Sequence, residues 1–320
     1  IWLGLVGSEM CIRDSYKGTH TFPDNVHVHS LGKEERQSRV QYLTRLVRYV
    51  WTLRHEYDAV FVHMNPIYLV LLGIFWRLWR KQIGLWYTHK HVDLKLRLGA
   101  LFMHHGFTGS VESFRLENPK IIVTGQGIDT TQFAYKGKLK NEKLTLVVVS
   151  RISPVKNIEL AINTLRHVVE TTPARLIVVG APAKPEDEVY DQNMREEAKA
   201  SGLEVEFVGG KDAEGVREVL RSADVFLHTS LTHSADKTIL EAMSTGVYVL
   251  TSSPVYKKDL PDGCVLPVEG ELYAKAATDF YLLGDDEKEE IQLTLRRTVE
   301  ERHSLQKLIA RIIGVLSGKK

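Results

Sequence analysis

Two short segments hold the residues whose types and spacing could do chemistry. The first is SRISPVKN, residues 150–157, set between an apolar strand pattern and a helical one. Arg151 leaves the strand end, and Lys156 falls at or beside the helix N-terminus. A helix dipole disfavours a cation there. The placement makes sense if an anion such as a diphosphate lies between the two side chains and the backbone N–H groups. Two solvated surface charges are the plain alternative.

The second is SLTHSADKTILEAMSTG, residues 230–246, again at a strand-to-helix junction, with Glu241 near the helix start. Thr238 and Glu241 fit a capping box, in which both side chains satisfy helix-end N–H groups, and that reading alone explains both. Together, the two junctions put a basic pair and a carboxylate at strand ends of one sheet.

The elements that must position these residues are legible from residue 58 onward. Short β-branched or aromatic runs alternate with longer helical patterns, which argues for parallel sheets built from βαβ units. AVFVHM, IGLWYT, GFTGS and KIIVTG read as strands in the first half, and TLVVVSR, RLIVVGA, VEFVGG, DVFLHTS and VYVLTS in the second. Two doubly wound α/β domains follow, joined near residues 133–143, where AYKGKLKNEK is polar and lacks apolar periodicity. Such sheets bind ligands outside the carboxyl ends of their strands, here in a cleft between the domains. After Ser253 the pattern is irregular, then helical from about Glu271. The amphipathic SLQKLIARIIGVL is expected to close the second domain.

Length and composition agree with this reading. A chain of 320 residues has room for two domains, and 43% hydrophobic with 26% charged residues is ordinary for a globular protein. A formal charge of +2 gives no global reason to expect nucleic acid. The two cysteines, Cys11 and Cys264, cannot form a disulfide framework or a zinc cluster by themselves, which suits a reducing cytosol. There is no D-x-D motif and no His/Cys cluster with ligand spacing, and GQGID lacks the third glycine of a dinucleotide fingerprint. Residues 67–79 (IYLVLLGIFWRLW) are too few to span a bilayer. That helix can pack on a sheet or, with Arg80 and Lys81 at its end, touch a membrane surface. Residues 1–15 have neither the basic start nor the cleavage pattern of a signal peptide. They resemble a translated sequencing-adapter read-through, on which reading they are a non-native leader and the chain is an N-terminally truncated fragment.

The motifs themselves resemble those of family-4 glycosyltransferases. SRISPVKN is similar to that family's GR-x-x-x-x-K-G segment, and SADVFLHTS followed by DKTILEAMSTG to its ADVFVxPS and E-x7-E region. HGFTGSVESF and IIVTGQGID resemble its serine-containing strand and NGVD turn, so the likeness runs from about residue 57 to the C-terminus.

The resemblance implies a GT-B fold of two Rossmann-like doubly wound domains facing a cleft. A partial acceptor-side domain would span residues 16–135, a donor-binding domain 140–302 and a terminal helix 303–320. It implies retaining transfer of a sugar from a nucleotide-diphosphate sugar to a glycan or lipid-linked acceptor. No cofactor or metal is expected, because side-chain cations and a helix N-terminus neutralise the leaving diphosphate. The setting would be cytoplasmic, with possible peripheral contact at the inner face of a membrane. Arg151 and Lys156 would hold the diphosphate, and Glu241 the ribose hydroxyls. Gly209 and Gly210 would let the backbone approach the base. Asp236 stands where the family has a glycine near the diphosphate, so its carboxylate must point away or be offset by Lys237; with Thr238 these complete the donor-binding set. His89, in WYTHKHV, matches the threonine-histidine position facing the donor sugar. His233 replaces the first glutamate of E-x7-E, and a neutral imidazole there keeps the hydrogen bond but not the charge. That replacement, with the absence of the family's glycine-rich loop, leaves a second reading: a non-catalytic nucleotide-sugar-binding module.

Overall fold

The computed structural model describes residues 2–6, 9–14, 24, 26–31, 38–135, 137, 141–232 and 235–318. The chain forms two compact units, one of residues 1–125 with 307–320, the other of residues 126–306. The division falls at 125/126, so the polar stretch at 133–143 lies inside the second unit rather than between the two.

The first unit holds a seven-stranded sheet. Its strands are β1 (Trp2–Val6), β2 (Glu9–Asp14), β3 (Val26–Ser30), β4 (Ala59–His63), β5 (Gln82–Trp86), β6 (His105–Thr108) and β7 (Ile121–Val123), in the order β3-β2-β1-β4-β5-β6-β7. All neighbours are parallel except β1, which runs antiparallel to both β2 and β4. Residues 2–6 and 9–14, expected to lie outside the fold, thus supply two strands of the backbone sheet. Helices α1 (Arg39–Thr52), α2 (Ile67–Leu78) and α3 (Leu94–Phe102) follow β3, β4 and β5. Leu46 and Val50 of α1, Leu69, Leu72 and Trp76 of α2, and Leu96 of α3 share one core with Val60, Val62, Ile83 and Leu85 of the sheet.

The second unit is a five-stranded parallel sheet. It comprises β8 (Leu144–Val149), β9 (Ala174–Val179), β10 (Val205–Gly209), β11 (Val225–His228) and β12 (Tyr248–Thr251), in the order β10-β9-β8-β11-β12. Strands buried on both faces must be apolar throughout, and β8 and β11 are buried at every position. Helices α4 (Ile158–Val168), α5 (Glu188–Ser201), α6 (Ala213–Arg221), α7 (Lys237–Thr245), α8 (Gly270–Leu282) and α9 (Asp285–Arg302) cover it. The strands expected from residue 58 onward are all present. The last helix, α10 (Leu305–Leu316), groups with the first unit instead of closing the second: its Leu316 approaches Gly84 of β5, and Arg311 donates to the Val123 carbonyl oxygen. An amphipathic pattern requires a buried face but does not say which sheet supplies it.

Candidate active site

In the second unit the strand order reverses between β8 and β11, because β8 leads outward to β9 while β11 continues on its other side. That switch point opens a crevice at the carboxyl ends of the strands, where ligands of such sheets bind. Ser150, Lys156, His228, Thr229 and Ser230 line a small one here.

Lys156 ends a 3-10 turn (Pro154–Lys156) that joins β8 to α4, with Asn157 in the left-handed region at φ 50°. The Thr229 hydroxyl donates to the Lys156 carbonyl oxygen at 2.6 Å, and Leu231 N–H to that of Val155 at 2.9 Å, so the loop after β11 holds the turn in place. The Lys156 Nζ lies 2.5 Å from Asp236 Oδ2, with the lysine side chain only 12% exposed. The same oxygen lies 3.1 Å from His228 Nε2, and His228 Nδ1 is 2.8 Å from the Thr251 hydroxyl at the end of β12. Tyr256 fixes the backbone by donating to the Asp236 carbonyl oxygen at 2.6 Å. Burial alone would raise the Asp236 carboxyl, but hydrogen bonds from His228 and Lys156, with the charge of Lys156, hold it well below the usual carboxylate range.

The carboxylate at position 236 is therefore offset, but by Lys156 and His228 rather than by Lys237, which is exposed. Asp236 is the residue before α7, and its side chain, turned to Lys156, leaves the first turn of that helix without a side-chain cap. The capping box expected of Thr238 and Glu241 is not formed: the N-cap is Asp236, and Thr238 already lies within the helix. Glu241 is half-buried, and its carboxylate has no hydrogen-bond or ion-pair partner among the described residues. Burial pushes its pKa up, and the charge of Lys237 one turn earlier only partly counters this.

The other expected residues are more scattered. Arg151 follows the end of β8 and is exposed, with no ion-pair partner among the described residues. Gly209 ends β10 at φ +74°, and neither it nor Gly210 is crowded, so the demand at 209 is conformational rather than one of close approach. His89 belongs to the first unit, exposed after β5, its Nδ1 accepting from the His91 N–H at 3.3 Å. His233 lies outside the described residues.

Two residues of this region were not singled out from the sequence. His228 sits in DVFLHTS, where a polar side chain at the carboxyl end of a buried strand was the available signal. Gly180, after β9, has φ +151°, and a Cβ there would meet the Ser150 carbonyl oxygen at 1.7 Å. It lets the β8 and β9 ends close up beneath the crevice.

Comparison with known proteins bears on the fold and the family. Residues 129–257 match the model of the family Glycosyl transferases group 1. A Homo sapiens phosphatidylinositol N-acetylglucosaminyltransferase subunit is 29% identical over 136 residues, 42% of this chain and 28% of that protein. The phosphatidylinositol N-acetylglucosaminyltransferase gpi3 subunit of Schizosaccharomyces pombe is 31% identical over 116 residues, 36% of this chain and 25% of that protein. The matched stretch thus spans under a third of each relative's length. Among solved structures, Anabaena Alr3699/HepE in complex with UDP superposes with a TM-score of 0.71 at 18% identity, covering 92% of this chain and 86% of that one. A glycosyltransferase from Rickettsia africae ESF-5 gives 0.75 at 13% identity, covering 92% and 85%. The chain has the α/β fold seen in GT-B glycosyltransferases, and its residues 129–257 are similar to the family Glycosyl transferases group 1.

Proposed function

We propose that this chain is a retaining glycosyltransferase that moves a sugar from a nucleotide-diphosphate donor to a glycan or lipid-linked acceptor. The observation that carries the reading is Lys156: a largely buried cation at the switch point of a parallel sheet, held by the carboxylate of Asp236. On this reading the diphosphate shares or takes over the Asp236 contact. Arg151, Lys156 and the uncapped N–H groups of α7 then stabilise the charge that develops as the sugar leaves, without a metal ion. Glu241, a carboxylate with no protein partner among the described residues, accepts hydrogen bonds from the ribose hydroxyls.

The names of the similar proteins supply the first substrates to try. Structures of Anabaena Alr3699/HepE hold UDP and UDP-glucose, and the curated relatives are named for phosphatidylinositol and N-acetylglucosamine. A thermal-shift panel of nucleoside diphosphates and their sugars tests the reading, since a ligand that binds only the folded state stabilises it by about 2.7 kcal/mol at a hundred times its Kd. The expected result is a rise with at least one diphosphate or its sugar that the matching nucleoside does not give. A panel with no shift at millimolar ligand contradicts it.

A further inference from the structure

The helical layer of the first unit has a second apolar side. On α1, Val40, Leu43, Val47 and Trp51 are exposed at helical spacing, while Leu46 and Val50 go to the core. On α2, Leu71, Ile74, Phe75 and Leu78 form a stripe opposite buried Leu69, Leu72 and Trp76. On α3 the stripe is Leu94, Leu98 and Leu101, opposite Leu96 and Ala100. Trp51 is 54% exposed, Leu78 72% and Leu101 69%. Single exposed leucines need no explanation, but three stripes on one packed layer do. The stripes of α1 and α2 are joined at their ends, where Trp79 meets Trp51 edge-on at 5.6 Å and Phe75 at 6.0 Å between ring centroids.

The charge on this layer has one sign. Across helices of 14, 12 and 9 residues there is no Asp or Glu, whereas Arg45, Arg48, Arg77, Lys95 and Arg97 are basic. The whole chain is nearly balanced, with 42 basic and 40 acidic residues. Nearby acidic residues lie in the connections: Asp93 is engaged in capping α3 through the Leu96 N–H, and exposed Glu56 and Asp58 follow α1. Aliphatic side chains and tryptophan on an acid-free, arginine-rich surface are the composition of an element that lies in a lipid headgroup region. No helix among the described residues is long and apolar enough to cross a membrane.

We infer that the α1–α2–α3 face of the first unit docks on the surface of an anionic phospholipid bilayer, its apolar stripes entering the headgroup layer and its basic residues facing lipid phosphates. The sequence suggested such contact for residues 67–79 alone. In the fold, the buried side of that helix serves the core and its outer side is one part of a three-helix surface. The inference does not depend on the sugar-transfer reading, and its test involves no nucleotide.

The test is co-sedimentation of the whole chain with phosphatidylcholine vesicles, with and without about 30% phosphatidylglycerol. Binding to the anionic vesicles is expected to exceed binding to neutral ones by at least about tenfold and to fall in high salt. Leu78→Glu combined with Leu101→Glu should reduce it by at least about tenfold. Lys95→Glu with Arg97→Glu, which alters exposed residues only, should do the same through charge. Melting temperatures equal to the parent's show that both variants remain folded. Equal binding to neutral and anionic vesicles, or undiminished binding by the charge-reversed variant, overturns the inference. So does a concentration-dependent dimer that Leu78→Glu abolishes in a chain that ignores vesicles, which would assign the face to a second copy.

Discussion

Asp236 Oδ2 bridges Lys156 Nζ at 2.5 Å and His228 Nε2 at 3.1 Å, tying the turn after β8 to the end of β11 and the start of α7. One carboxylate oxygen thus orders the three segments that converge on the crevice.

The acid range should reveal that bond. A carboxyl whose folded value lies below its ordinary value contributes stability that is complete above about pH 4 and is lost as pH falls further. Asp236→Asn should cost about 1.5–3 kcal/mol at pH 7, the worth of hydrogen bonds to charged groups. The gap to the parent should close below about pH 4 in melting curves recorded down the pH scale. A loss that stays constant with pH would remove the ionic contribution.

Glu241 should behave in the opposite sense. Burial raises its folded value, so the ionised side chain costs stability above the folded pKa and nothing below the ordinary glutamate value near 4.3. Glu241→Gln is therefore expected to melt higher than the parent at pH 7 and level with it near pH 4. If Glu241 holds the ribose, the same variant should bind a nucleoside diphosphate about tenfold more weakly. A variant more stable and equally good at binding would leave Glu241 without a role in the site.

Gly180 and Gly209 separate space from conformation. Gly180→Ala places Cβ against the Ser150 carbonyl oxygen at a φ of +151° and should cost about 2–4 kcal/mol. Gly209→Ala, at φ +74° in open space, should cost only about 1–2 kcal/mol. Equal losses in urea denaturation would show that the strand ends are not as close as the structure has them.

Much of this was legible in the sequence, and the gaps have physical causes. Strands such as TLVVVSR and DVFLHTS are buried on both faces, so their continuous apolar runs announce them. Lys156 is marked by an awkward cation at a helix start and Asp236 by standing where the resembled family has a glycine, but their pairing joins positions 80 residues apart that only the β8–β11 adjacency brings together. Periodicity along the chain cannot supply that adjacency, and the counter-charge for Asp236 was sought in its neighbour Lys237. Gly180 escaped for the same reason, since its constraint comes from Ser150 on the next strand. Helix α1 carries Leu43, Leu46, Val47 and Val50 on one side at helical spacing, but it lies ahead of the alternating pattern that starts at residue 58.

The central claim, that the Lys156 crevice receives the diphosphate of a nucleotide-linked sugar, is tested most directly by calorimetric titration of the parent and Lys156→Ala with UDP and with uridine. The account predicts that the variant loses about 1.5–3 kcal/mol of UDP affinity and none of its affinity for uridine. Equal weakening of both ligands, or UDP binding that Lys156→Ala leaves intact, would contradict it.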